Sequence, residues 1–444
     1  MNRKEDKVKG KSVSKNKVIM TSLVGISLIL GTLSPTVASA NTLNLPVKDP
    51  TATIKVLSFM AADIAKPFVD AFQKDHPTIK VEFQSVPFND LQPTIDARVA
   101  SKSADLDVYW ADQPRVSALA ARGTALELTK VFTPFKSNFE PQAWASGIYN
   151  KKLYALPIEN STQLLYYNKD LLDKAKVPYP SANIKDRLTW EQLLPDVKKT
   201  VDAGAKNGLL FGQFDRYYQL QALPVSAGGG IGAQGKGNLV PNVANKGWEK
   251  AFTWYQNLFK NGLSPKGMKP EETTAAFANG QAAYIVNGPW NLVTFAGTKG
   301  LNFGVAPHPY FEGGRPVTGT GSWSLAISPF SPNKEAAAVF LNWMSVESNY
   351  IKYRTDASLA ATPVGKKVYF SKPLFDSALG KQAIAIIDYE TANTAVNRVQ
   401  TVGYVEFETI MNATFSDIRN GANVGKSLRD AATKLRRAWS IYRR

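Results

Sequence analysis

The sequence predicts an α/β fold of two lobes, and three observations carry that expectation. Strand, helix and strand patterns succeed one another between residues 51 and 123, the order of parallel α/β units with short connections. The chain of 444 residues contains no Cys, so it must be held by its own core, and a core of that size divides most naturally into two domains. Between residues 153 and 167 two apolar runs flank the polar Glu159-Asn160-Ser161-Thr162, the pattern of a strand that leaves one sheet, crosses in the open and enters another.

The fold starts only after residue 40. Residues 1–17 carry seven Lys or Arg against Glu5 and Asp6, a net of +5. Residues 18–33 are uncharged and mostly apolar, and Ala38-Ser39-Ala40 completes the pattern of a secretory signal peptide cleaved after Ala40. The apolar stretch is short for a span of roughly 20 residues and meets Gly31 and Pro35, which argues against an anchor. With no Cys to carry a lipid, the mature protein is expected to be periplasmic and untethered.

Ile54, Val56 and Ser58 alternate with Lys55 and Leu57 as a first strand, and Ile64, Phe68 and Phe72 mark one face of a helix. Ile79, Val81 and Phe83 alternate as a second strand, and residues 105–110 (DLDVYW) form a third, with a helix after Pro114 that stops at Gly123. Thr189 with Gln192 predicts a capping box, and residues 209–214 a strand leading to Asp215-Arg216-Tyr217-Tyr218. The run SAGGGIGAQGKGN lacks Gly-Lys-Ser/Thr and reads as a surface hairpin or loop. Trp248, Phe252, Tyr255 and Phe259 at helical spacing read as core. Strands at 301–306 and 322–328 bracket a turn-rich stretch, a helix covers 332–344, and residues from 381 onward are helical with a break near Val402-Gly403.

Composition limits the chemistry. Subtracting the leader's +5 from the formal +17 leaves about +12, but the Lys and Arg are scattered outside KLRRAWSIYRR, so nucleic acid is not expected as a partner. Two His residues, His76 and His308, each beside Pro, supply neither a metal cluster nor a Ser-His-Asp relay, and no calcium-type loop is present. No metal, no cofactor and no catalytic residues are therefore expected. A converging carboxylate pair of a glycosidase leaves no local motif and stays open on these grounds.

AAYIVNGPW (282–290) raises the functional question: a buried strand ends at a turn carrying Trp290, either core packing or a platform facing a cleft. LYALPIENSTQLLYYNKDLL, DRLTWEQLLP, FANGQAAYIVNGPW and SPNKEAAAVFLNWM, in this order from about residue 51 to the end, resemble the family 1 extracellular solute-binding proteins of ABC importers. The likeness is nearest in style to maltodextrin- and other oligosaccharide-binding members. It implies a type II periplasmic-binding-protein fold, each lobe a mixed sheet flanked by helices, joined by a hinge of crossing segments. The expected division is 51–158 plus 301–360 for lobe 1, and 159–300 plus 361–444 for lobe 2. The implied partners are a carbohydrate and the membrane permease subunits of an ABC transporter, and the implied state is a monomer.

In open α/β sheets ligands sit beyond the carboxyl ends of strands, where Phe59, Trp110, Asp112, Glu159, Asn160, Asp215, Tyr217, Gly288 and Trp290 fall. A sugar presents an apolar face and a polar rim, and so needs an aromatic plane with fixed acceptors around it. By resemblance Trp290 stacks on the sugar, Trp110 answers from the other lobe, and Asp112, Glu159 and Asp215 set orientation, with Tyr217 beside them. Gly288 gives room where backbone and ligand crowd. Trp323 stacks or wedges the hinge, and Arg398 reaches the ligand or forms a surface salt bridge. Where the maltodextrin pattern offers a late stacking aromatic this chain has Gly403, with Tyr404 next to it. The acids favour a neutral sugar. The alternatives are a secreted polysaccharide-acting enzyme and a binder of a phosphorylated polyol or an anionic sugar.

Overall fold

Alternation in ATIKVLS sets the first strand, Ala52–Ser58, with Ile54 and Val56 in the core, but Leu57 is buried as well. A strand covered on both faces buries both of its side-chain rows, which is why alternation fades toward the middle of a parallel sheet. The computed structural model describes residues 43–321, 323–354 and 359–442. The predicted leader and its cleavage after Ala40 lie outside them.

The first sheet has five strands in the order Ile79–Ser85, Ala52–Ser58, Val108–Asp112, Trp323–Ile327, Leu156–Pro157. The first three run parallel, and Trp323–Ile327 is antiparallel to both of its neighbours. Helices Ala62–Asp75 and Phe88–Ala100 make the crossovers. The second sheet has four strands in the order Phe303–Pro307, Leu164–Asn168, Ala282–Asn287, Asn207–Phe211, also of mixed direction. Each sheet is therefore mixed, and helices flank them both.

The expected crossing is present but not in the open. Sheet one ends at Pro157, Glu159–Asn160 pairs with Leu359–Ala360, and sheet two begins at Leu164. Residues 159–163 are all buried. Buried polar groups must find partners. Thr320 Oγ1 donates to Asn160 Oδ1 at 2.6 Å, Ser161 Oγ donates to the Gly321 carbonyl at 2.7 Å, and Gln163 Nε2 donates to the Tyr218 carbonyl at 3.0 Å.

One boundary differs from the expected division. Phe303–Pro307 pairs with Leu164–Asn168 throughout, so the return to the first sheet falls at 308–322 and not at 301. The chain changes lobe again between Asn349–Tyr353, which packs on Ala62–Asp75, and Ala378–Asn393, which packs on Phe303–Pro307.

The local signals hold elsewhere. Thr189 and Gln192 form the capping box of helix Trp190–Asp202. Trp248, Phe252, Tyr255 and Phe259 line the buried face of Lys246–Lys260. The Gly-rich run becomes a small hairpin, Ala233–Gln234 with Val240–Pro241. No helix among the described residues is long and apolar enough to cross a membrane, and none of their His, Asp and Glu groups could hold a metal.

Beneath the second sheet, Arg187 and Glu390 form a buried ion pair at 2.6 Å, with Arg187 also donating to the His308 carbonyl at 2.7 Å. Burial, and then the neighbouring Arg187 charge, push the His308 imidazole down to about 3. The folded pKa lies below the unfolded value of about 6.5, so the unfolded chain takes up the proton first. This contribution to stability is present above pH 6.5 and is lost as pH falls toward 3. Urea unfolding at a series of pH values should show His308→Gln losing less stability than the parent between neutrality and pH 4.5, by on the order of 1–3 kcal/mol.

Candidate functional site

Trp290 sits where the strand Ala282–Asn287 ends and the short helix Asn291–Gly297 begins. The turn is held from two sides. The Tyr166 phenol donates to the Gly288 carbonyl at 2.7 Å and the Tyr369 phenol to the Pro289 carbonyl at 3.1 Å. A Cβ on Gly288 would lie 1.9 Å from Trp290 Cζ3, so Gly288 is needed because the indole folds back over its own turn. The crowding expected from a ligand comes from the platform itself.

The indole is part-exposed and lines a cavity of about 340 Å³ together with Phe59, Phe88, Tyr218 and Trp323. That size falls within the range of small-molecule sites, roughly 300–1,000 Å³. Tyr218 and Trp290 belong to the second lobe, with ring centroids 6.3 Å apart at 30°. Phe59, Phe88 and Trp323 belong to the first, with Phe59 and Trp323 at 4.5 Å and Phe88 edge-on to both. A neighbouring cavity of about 300 Å³ shares Phe88, Asp112, Arg216 and Trp323, so the two form one groove.

Trp110 does not supply the first lobe's plane. It is 1% exposed, and its indole packs against Phe68, Phe83 and Tyr350 of its own lobe, reaching only the floor of the smaller cavity. The reason is its place in the middle of a strand buried on both faces. Trp323, at the start of the adjacent antiparallel strand and directly opposite Asp112, occupies the cleft surface instead. Of its two readings the geometry favours the platform.

Tyr217 and Tyr218 divide in the same way. Tyr217 is fully buried against Trp248 and Phe407 and donates to the Ile231 carbonyl at 2.5 Å. Tyr218 faces the cavity, its hydroxyl 3.0 Å from Ser161 Oγ, and burial pushes it up to about 12. Tyr404 is also core: it is 0% exposed, and its hydroxyl donates to Glu408 at 3.3 Å.

The carboxylates in the groove are already engaged. Arg398 grips Asp112 with both terminal nitrogens, one at 3.0 Å, and its guanidinium lies 5.2 Å from the Tyr218 ring centre. Arg398 is therefore neither a surface ion pair nor a free hand for the ligand, although it lines the cavity. Glu159 is bonded by Tyr350 and Arg354. Asn160 lies below the cavity wall, occupied by Thr320. Asp215 is outside both cavities. It adopts a left-handed φ of 58° and is tied to Arg419 at 3.0 Å and to the Tyr255 hydroxyl at 3.1 Å. Burial raises its pKa, partly countered by Arg419.

Phe88, Tyr218, Arg115, Arg216, Arg354 and Glu408 line the groove without having been singled out from sequence. Of these, Arg216 and Tyr218 had a visible signal, both standing in the Asp215-Arg216-Tyr217-Tyr218 stretch that follows a buried strand.

Comparison with known proteins identifies the family. A profile of the family described as bacterial extracellular solute-binding protein matches residues 61–350. The galactooligosaccharide-binding protein of Bacillus subtilis is 30% identical over 294 residues, 64% of this chain and 66% of that relative. The maltodextrin-binding protein of the same organism is 26% identical over 300 residues, 66% of this chain and 68% of the relative. Among solved structures, an ABC substrate-binding protein from Listeria monocytogenes in complex with cycloalternan superposes with a TM-score of 0.76 at 22% identity, covering 87% of this chain and 99% of that one. The GacH receptor of Streptomyces glaucescens, solved unliganded and with acarbose, gives 0.72 at 22% identity over 89% and 98%.

Trp110→Ala empties a core site and is expected to lower stability by about 3–5 kcal/mol, read from the urea midpoint. A loss under about 1 kcal/mol would mean that the indole is not core after all.

Proposed function

Because the chain belongs to the bacterial extracellular solute-binding family, we propose that it is a non-catalytic receptor that takes a carbohydrate into the groove between its lobes and presents it to the permease of an ABC transporter. The observation that carries this reading is the groove lined by aromatic planes from both lobes, Trp290 with Tyr218 on one side and Trp323 with Phe59 and Phe88 on the other. Pyranose C–H faces stack on such planes while hydroxyls meet the polar rim. Trp290 and Trp323 replace the expected pair of Trp290 and Trp110 as the two sides of the grip.

Closure requires only that the solute bind the closed arrangement better than the open one. The lobes of this reading are 51–158 with 323–360, and 159–307 with 361–444. They work as a monomer outside the cytoplasmic membrane. Two relatives are named for oligosaccharide binding, which supports a sugar of more than one unit. An enzyme reading would need two free carboxylates about 5–10 Å apart, whereas Asp112, Glu159 and Glu408 are each bonded to an arginine.

Titration calorimetry with galactotriose and maltotriose tests the assignment. Trp290→Ala and Trp323→Ala should each weaken binding by at least roughly tenfold, about 1.4 kcal/mol, with the ligand-free melting temperature little changed. Overnight incubation should return the sugars intact by chromatography. Cleavage products would overturn the receptor reading in favour of a hydrolase.

A further inference from the structure

One cation of the groove is held more loosely than the rest. Among the described residues, Arg115, Arg216, Arg354 and Arg398 line the two cavities of the groove together with Asp112, Glu159 and Glu408. Three of the cations hold a carboxylate at hydrogen-bonding distance: Arg398 on Asp112, Arg354 on Glu159, Arg115 on Glu408. Arg216 meets a carboxylate only at 3.8 Å, the same Glu408 that Arg115 already holds, and otherwise lies over the Phe88 ring with its guanidinium carbon 4.8 Å from the centroid. Its side chain is also the most accessible of the four, 23% exposed against 18% for Arg115, 11% for Arg354 and 4% for Arg398.

Arg216 is aimed by a built device. Asp215, held in its left-handed conformation by Arg419 and Tyr255, turns the chain immediately before it. Directly after it, the Tyr217 N–H donates to Asn412 Oδ1 at 3.1 Å. An arginine whose backbone is fixed on both sides in this way, and whose side chain lines both cavities, is placed to receive an anion through parallel hydrogen bonds.

We propose that the solute is an acidic sugar carrying a single carboxylate, and that Arg216 is the residue that selects it. The inference rests on the receptor reading above and names the substrate class within it. A cation that meets a shared carboxylate only at 3.8 Å becomes costly as the groove loses water, and a monoanionic ligand lowers that cost. One carboxylate matches the one loosely held guanidinium, whereas a phosphate monoester at about −1.5 to −2 would exceed it. The Phe88 ring, 4.8 Å from the guanidinium carbon, adds a cation–π contact, and a guanidinium pairs with a planar carboxylate through two parallel N–H groups.

The test uses two matched pairs: galactotriose and maltotriose, each beside the same trisaccharide with its terminal C6 hydroxymethyl oxidised to a carboxylate. Calorimetry on the full protein should show at least one charged member binding roughly tenfold tighter than its neutral partner. That ratio should collapse in Arg216→Gln and be partly kept in Arg216→Lys, and it should shrink with added salt. Equal affinities within both pairs, or a ratio that survives Arg216→Gln, would overturn the proposal while leaving the receptor reading intact. Failure of all four sugars to bind would overturn both.

Discussion

The chain must pass between two sheets, and where it passes its backbone and polar side chains are buried. Everything in the groove depends on how that passage is satisfied. Buried donors and acceptors without partners cost several kcal/mol in total, so the crossing is written in short polar residues that bond to one another. Asn160, Ser161 and Gln163 bond to Thr320, Gly321 and Tyr218, which lie on the return passage and on the short helix Tyr217–Leu220 that follows the strand Asn207–Phe211. The floor of the groove is thus one hydrogen-bonded unit. Tyr218 faces the cavity because its backbone carbonyl and its hydroxyl are both fixed there.

On that floor the aromatic and ionic walls have distinct roles. Trp290 and Trp323 offer broad apolar planes at low conformational cost, because each is held by its turn or strand. The ion pairs do little for stability on their own account. Moving two charges out of water costs about what their attraction returns, while leaving one of them alone is expensive. Their effect is to decide which polar atoms remain for a solute. Asp112 has both oxygens occupied by Arg398, and the acids that would have argued for a neutral sugar are mostly spent internally.

Much of the fold was legible in the sequence, and less of the site. The capping box at Thr189, the aromatic stripe of Lys246–Lys260 and the passage after Pro157 follow from local chemistry that tertiary packing does not contradict. Trp110 and Tyr217 were misplaced for one shared reason. VYWAD, which holds Trp110, and YYQL, which holds Tyr217, are buried along their whole length, so no periodicity tells which face is core and which is cleft. Asp215 carried a positive φ that no sequence pattern disclosed, and the arginines of the groove come from loops and helices far apart in the chain. Gly288 and Trp290 were readable together because a glycine and a proline at a strand end restrict what the backbone can do there.

The interleaving of the two sheets has a consequence for the order of events in synthesis. Val108–Asp112 pairs on one side with Ala52–Ser58 and on the other with Trp323–Ile327, more than two hundred residues downstream. Until that late strand emerges, the early half of the molecule keeps an open sheet edge and an incomplete interior. Long-range closure of this kind slows compaction. A nascent chain built this way stays threadable for most of its length, and it commits to its final shape only when nearly three quarters of it has been made.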